Sequence, residues 1–115
     1  YVGHNCTFQN CILWGNRSLR GGHQAYAGRG AFGRLFSCDF SNKTSQDMYP
    51  LIQFIPDSNC INSDPNLDPT YHLQNGSPCI DRGNNSYVPN WLTEDLDGNP
   101  RIVNNIVDMG CYEYQ

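Results

Sequence analysis

From Ser77 to Tyr114, residues that interrupt regular structure recur every few positions: Gly83, Pro89, Gly98, Pro100, Asn104, Asn105 and Gly110 leave only short apolar runs between them. A helix of ordinary length does not fit between such breaks, so the stretch predicts short strands joined by tight turns. Ile102-Val103 and Ile106-Val107 flank Asn104-Asn105, and Asn tolerates the left-handed backbone that a two-residue hairpin turn needs. A hairpin is therefore expected over residues 101–108.

The same bias extends through the whole chain of 115 residues. Hydrophobic residues make up 38% and charged ones 16%, which leaves solubility to Asn, Ser, Gln and Gly, the turn-rich surface of all-β extracellular proteins. No run approaches the roughly 18 apolar residues of a membrane helix, and none has the form of a signal peptide. A chain that begins at Tyr1 is expected to be processed or cut from something longer. Charge is unevenly placed: residues 1–38 carry four arginines and no acid, a formal +4, whereas residues 39–115 carry three cations against eleven acids, a formal −8. The acidic balance argues against a phosphate-tracking surface, and no nucleic-acid partner is expected.

Six cysteines, at 6, 11, 38, 60, 79 and 111, lack a Cys-x-x-Cys pair and a histidine pair at ligand spacing, which argues against a structural zinc site. Two readings remain for them. They are free thiols packed between stacked strands, or, as we favour, some form disulfides in an oxidising extracellular compartment.

Asn5-Cys6-Thr7-Phe8 and Asn10-Cys11-Ile12-Leu13-Trp14-Gly15-Asn16 read as two copies of one short motif, an Asn and a Cys leading into a strand. Alternation puts Cys6 and Phe8 on one face. After a Gly-rich excursion, residues 35–40 read as a strand with Phe36, Cys38 and Phe40 on one face. Leu51-Ile52-Gln53-Phe54-Ile55, the most apolar run, is confined to strand length by Pro50 and Pro56.

Ser77-Pro78-Cys79-Ile80-Asp81-Arg82-Gly83, Asp95-Leu96-Asp97-Gly98-Asn99-Pro100-Arg101 and Asp108-Met109-Gly110-Cys111-Tyr112-Glu113-Tyr114 together resemble the closing segment of the choice-of-anchor Q family of bacterial cell-surface proteins. Asn10 to Asn16, Asp64-Pro65, Asp68-Pro69 and Tyr71-His72-Leu73 follow the family order too. The resemblance implies an all-β chain, the C-terminal coils of a right-handed parallel β-helix followed by a turn-rich β cap. Residues 1–58 would form the terminal coils with a Gly/Arg-rich loop excursion over 17–34, and residues 59–115 the cap, packed with the coils as one unit. It also implies an extracellular or cell-surface location. Cys60 and Cys111 stand where the family usually has other residues, so a Cys60–Cys111 disulfide is expected, with Cys38–Cys79 as a second pair and Cys6 and Cys11 buried in the coil.

Candidate functional residues are sparse. Gly28-Arg29-Gly30-Ala31-Phe32-Gly33 spells a dinucleotide fingerprint, but no strand-then-helix context surrounds it, so a loop is expected. Asp95, Asp97 and Asn99 place oxygen ligands around Gly98, a pattern calcium can use and an ordinary turn also shows; no other cofactor is expected. His4, His23 and His72 lie far apart with no recognisable nucleophile. Asp64, Asp68, Asp81, Asp95, Asp97 and Asp108 could supply an acid/base pair for glycoside cleavage, yet carboxylates in turns more often cap backbone groups. No catalytic residue is assigned.

Asn5, Asn16, Asn42, Asn75 and Asn84 are glycosylation sequons. The expected role is a structural surface protein, a scaffold or a filament subunit that assembles head to tail or continues upstream β-helix coils. A carbohydrate-binding or polysaccharide-degrading β-helix with Trp14, Tyr26 and Trp91 as stacking platforms for a glycan is the alternative.

Overall fold

A computed structural model describes residues 3–19, 22–43 and 46–115. Its strands are β1 (Cys6–Gln9), β2 (Ile12–Leu13), β3 (Ala25–Tyr26), β4 (Gly33–Phe36), β5 (Asp39–Phe40), β6 (Met48–Tyr49) and β7 (Phe54–Pro56). The only helical elements among the described residues are 3-10 turns at Leu51–Gln53 and Asn85–Tyr87. The protein is all-β, and its sheets are short and parallel.

Every strand pairs with the strand three places along: β1 with β4, β4 with β7, β2 with β5, and β3 with β6. The register is direct. Cys6, Gly33 and Phe54 form one row and Phe8, Leu35 and Pro56 another, while Ile12, Asp39 and Ile61 continue the pattern through a parallel bridge. The chain thus runs one succession of three strands twice and begins it again.

Alternation decides which residues face inward. In β1, Cys6 and Phe8 are half-buried and Thr7 and Gln9 exposed; in β4, Gly33 and Leu35 are buried and Arg34 exposed. Ala25, Ala27, Ala31, Leu35, Cys38, Phe40, Met48 and Phe54 form the main core. Small side chains at 25, 27 and 31 matter because so thin a core leaves little room between facing strands. Gly33 is the extreme case. A Cβ there would lie 2.7 and 2.8 Å from the ring carbons of the buried Phe54. Gly33→Ala is therefore expected to destabilise by about 1 to 3 kcal/mol through overpacking. A chemical-denaturation midpoint equal to that of the parent would show that the ring yields freely.

Three local expectations change. Residues 35–40 are two strands, not one, because Ser37 takes φ 50° and turns the chain. Leu35 is consequently fully buried while Phe36 is half-exposed and packs on Tyr87. The apolar run 51–55 is mostly outside: it opens with the 3-10 turn, leaving Ile52 85% exposed, and only Phe54 enters the core. The stretch 17–34 is more than an excursion, since it carries β3 and the buried Ala25, Ala27 and Ala31.

Beyond residue 61 the chain is held by turns and single antiparallel bridges, Leu67 to Leu73, Glu94 to Pro100 and Val103 to Ile106. The hairpin expected over 101–108 is present in its turn, with Asn104 at φ 52° and Asn105 at φ 70°, but its ladder is one bridge long. A second core of Leu73, Cys79 and Met109 lies beneath these turns. This segment also grips the first strands. The Asn10 amide exchanges hydrogen bonds with the Asn84 backbone, at 2.7 and 3.0 Å, and the Gly110 N–H donates to the Asn10 carbonyl.

Candidate functional site

The three motif segments of the C-terminal region converge on Arg101. Its guanidinium pairs with Glu113 and donates to the Gly110 carbonyl at 2.8 Å. Glu113 also accepts from the Asp108 N–H, and Asp108 in turn accepts from the N–H groups of Asp81 at 2.6 Å and Tyr114 at 2.7 Å. Asp95 closes the set by accepting from the N–H groups of Asp97, Asn99 and Glu113. Arg101, Asp108 and Glu113 are buried.

Carboxylates outnumber the single guanidinium here, and burial decides their acidity. Glu113 is pushed up from 4.5 to about 7 by burial and by the neighbouring Asp108 charge. Asp108 is raised as well, chiefly by burial. Burial works against Asp95 too, but the N–H groups of Glu113, Asn99 and Asp97 outweigh it and hold that carboxyl below its ordinary range. The arrangement ties turns together; its oxygens are committed to backbone groups and to one another.

A second cluster lies nearer the surface. His72 Nε2 meets Asp97 Oδ2 at 2.7 Å, its Nδ1 meets Thr70 Oγ1 at 2.8 Å, and its ring stacks on Tyr112 with centroids 3.8 Å apart. Thr70 Oγ1 donates to Asp68 at 2.7 Å. With the Thr70 proton turned to Asp68, the imidazole acts as a donor on both sides, as a cation does. The hydrogen bond to Asp97 raises the His72 pKa. His–Thr–Asp proximity is thus a bridge between two turns, for the hydroxyl that a nucleophile would use is already given to a carboxylate. Sequence reading gave His72 no role because its partner Asp97 lies on a different turn.

Asp95 and Asp97 are engaged in this way, Asn99 donates its backbone N–H to Asp95, and among the described residues no group of three or more His, Cys, Asp or Glu could hold a metal. Asp64 and Asp68 accept from the N–H groups of Asn66 and Thr70 in their own turns. Gly28 to Gly33 leads into strand β4 with no helix after it. His23 accepts from the Ser18 N–H at 2.8 Å and His4 is exposed.

The stacking candidates are in three separate surroundings. Tyr26 stacks on Tyr49 at 5.9 Å, Trp14 lies under the Lys43 ammonium at 4.6 Å, and Trp91 is 78% exposed in the C-terminal turns. Of the sequons, Asn5, Asn16, Asn42 and Asn75 are exposed and Asn84 is half-buried. Several are engaged: Asn5 Oδ1 accepts from the Phe32 N–H, the Asn16 amide donates to Gln24, and Asn42 meets Asn62.

All six cysteines are free thiols. The Cys60–Cys111 and Cys38–Cys79 pairs are not formed: Cys79 is fully buried and donates to Asp39 at 3.2 Å, Cys111 is exposed, and Cys60 packs at a strand corner beside Cys38. Cys6 and Cys11 are half-buried instead of enclosed. Missed by sequence reading was that Cys11, Cys38 and Cys60 each stand one residue before the aligned Ile12, Asp39 and Ile61.

No helix among the described residues is long and apolar enough to cross a membrane. Comparisons with family models, curated proteins and solved structures give no match.

Proposed function

We propose that this protein is a structural module of the extracellular or cell-surface kind, the last coils of a right-handed parallel β-helix with a turn-rich cap, which serves as a scaffold or filament subunit. The observation that carries this reading is the in-register parallel pairing of each strand with the strand three places on, the pairing a stacked solenoid requires. The resemblance of the 77–114 segments to the choice-of-anchor Q ending agrees with it. So does the use of the motif carboxylates to tie turns, which leaves them structural duties.

Stacking of this kind continues wherever a strand edge is open. In the sheet order β1-β4-β7, no described strand lies on the outer side of β1. Cys6 and Asn10 donate inward to the carbonyls of Phe32 and Phe36, so by alternation the N–H groups of Thr7 and Gln9 face outward. A second copy adding its own edge strand there is the assembly we favour, with upstream coils of the same polypeptide as the other occupant. Charge contributes less than the +4 and −8 halves suggest, because the acidic segment reaches back to Asn10 instead of standing at the far end.

Light scattering over a concentration series tests the filament reading. The wild-type chain is expected to grow in mass, and Thr7→Pro, which removes an outward N–H, to remain monomeric with an unchanged circular dichroism spectrum. A wild-type monomer at every concentration overturns self-assembly.

One observation favours the carbohydrate reading as a second possibility. Tyr26 and Tyr49 are partners in the β3–β6 register and stack with 37% and 42% exposure, a flat aromatic strip suited to a sugar face. Saturable binding to one member of a polysaccharide panel, lost in Tyr26→Ala, would displace the scaffold reading.

A further inference from the structure

The thiols at the corner between the first and second strands of each succession are not equivalent. Asn10 at φ 52° and Ser37 at φ 50° turn the chain in the same way. The cysteines that follow take the same pose, Cys11 donating to the Gln9 carbonyl at 3.1 Å and Cys38 to the Phe36 carbonyl at 3.3 Å. Their strands are joined by the Asp39 N–H to the Cys11 carbonyl at 2.9 Å, and the register of Ile12 on Asp39 sets Cys11 beside Cys38. Cys60 sits differently: its sulfur turns to the Cys38 N–H and the Leu35 carbonyl, both at 3.4 Å.

Neighbouring parallel strands lie about 4.8 Å apart, within the Cα separations of roughly 4.4 to 6.8 Å that a disulfide spans. Cys38 is fully buried. Cys11 is half-buried and lines a surface groove of about 520 Å³ that also contains Trp14, Arg101 and Cys111. A small reagent can therefore reach Cys11 and not Cys38.

We propose that Cys11 and Cys38 form a thiol–disulfide exchange site for low-molecular-weight disulfides, with Cys11 the attacking and Cys38 the resolving thiol. The Cys11 thiolate attacks one sulfur of a disulfide RSSR; that S–S bond breaks, RS⁻ leaves and Cys11–S–S–R forms. Cys38 gives up its proton to the released RS⁻, attacks the Cys11 sulfur and displaces the second RS⁻, which takes up the proton that Cys11 had given to solvent. The protein loses two electrons, RSSR gains them, and the product is a Cys11–Cys38 bond with two RSH. Acidity is arranged in the same order: the neighbouring Cys38 foremost, with help from the Arg101 charge, lowers Cys11 to about 6 against the opposing effect of burial, while the proximity of Cys11 and its own burial raise Cys38. The bond joins the first succession of strands to the second.

The test treats the folded full chain with glutathione disulfide and maps it without reduction. The expected product links the Cys11 peptide to the Cys38 peptide and leaves Cys60 and Cys79 free. Cys38→Ser should instead hold a glutathione adduct on Cys11, and Cys60→Ser should form the same crosslink as the wild type. Should Cys38→Ser fail to fold, iodoacetamide labelling of the wild type decides the attacking role: at pH 7 Cys11 is expected to react at least tenfold faster than Cys38. A Cys38–Cys60 or Cys38–Cys79 link, no protein disulfide in the folded wild type, or equal labelling rates would each overturn the proposal.

Discussion

Arg101→Ala is expected to destabilise the protein by about 3 to 5 kcal/mol, the usual consequence of leaving a buried charge without its partner. For a chain of this size that is a fall of roughly 10 to 20 °C in the thermal midpoint. Residue Arg101 is 8% exposed and Glu113 4%, so water cannot replace what the guanidinium supplies. Its second nitrogen holds the Gly110 carbonyl, and Gly110 donates to Asn10 at the end of β1. Loss of Arg101 should therefore loosen the C-terminal segment and its attachment to the first strands together. Arg101→Met combined with Glu113→Met should be less damaging than Arg101→Ala alone, because neither member of the pair is left buried without the other. A midpoint within a few degrees of the wild type in Arg101→Ala would mean that this ion pair does not hold the segment.

The same cluster makes mild acid stabilising. An unfolded chain releases the Glu113 proton near 4.5 and the folded one near 7, so between those values the folded state binds more protons. Stability is then present in full at the acid end and falls as pH rises through the window, levelling above it. At about 1.4 kcal/mol per pH unit this group carries up to about 3 kcal/mol. His72 acts with the same sign, since its raised pKa gives stability that is present below its unfolded value and lost as pH climbs through the folded one. Asp68 and Asp95, both lowered, act oppositely: their contribution is lost as pH falls through the acid range. The urea midpoint is therefore expected to be higher at pH 5 than at pH 7.5, and to drop again below pH 4. Glu113→Gln should flatten the upper part of this profile. The damage from Arg101→Ala should also be smaller at pH 5, where a neutral Glu113 tolerates the loss of its cation. A wild type more stable at pH 7.5 than at pH 5, or a Glu113→Gln variant with the parental profile, would contradict this account.

Local chemistry makes several features legible in the sequence itself. Turn-forming residues exclude long helices throughout 77–114, Asn104-Asn105 announces a tight turn, and alternation in Cys6 to Gln9 places Cys6 and Phe8 inward. Each depends on neighbours within a few residues, where backbone sterics and side-chain period dominate. Hydrophobicity alone is a poorer guide. Ile52 is apolar yet 85% exposed, since Pro50 opens a 3-10 turn that points it away from the core, and the polar Asp39 is fully buried because Cys79 and the Ser63 N–H satisfy its oxygens.

What only the tertiary structure decided is which distant residues meet. Arg101 could have paired with any of several acids, and the cysteines with one another in many ways. The register of β2 on β5 set Cys11 beside Cys38, and the fold of the C-terminal turns set Glu113 against Arg101 and Asp97 against His72. Those outcomes rest on strand pairings across 27 residues and on burial, which changes the cost of a charge or a thiolate by amounts that no local pattern in the sequence expresses.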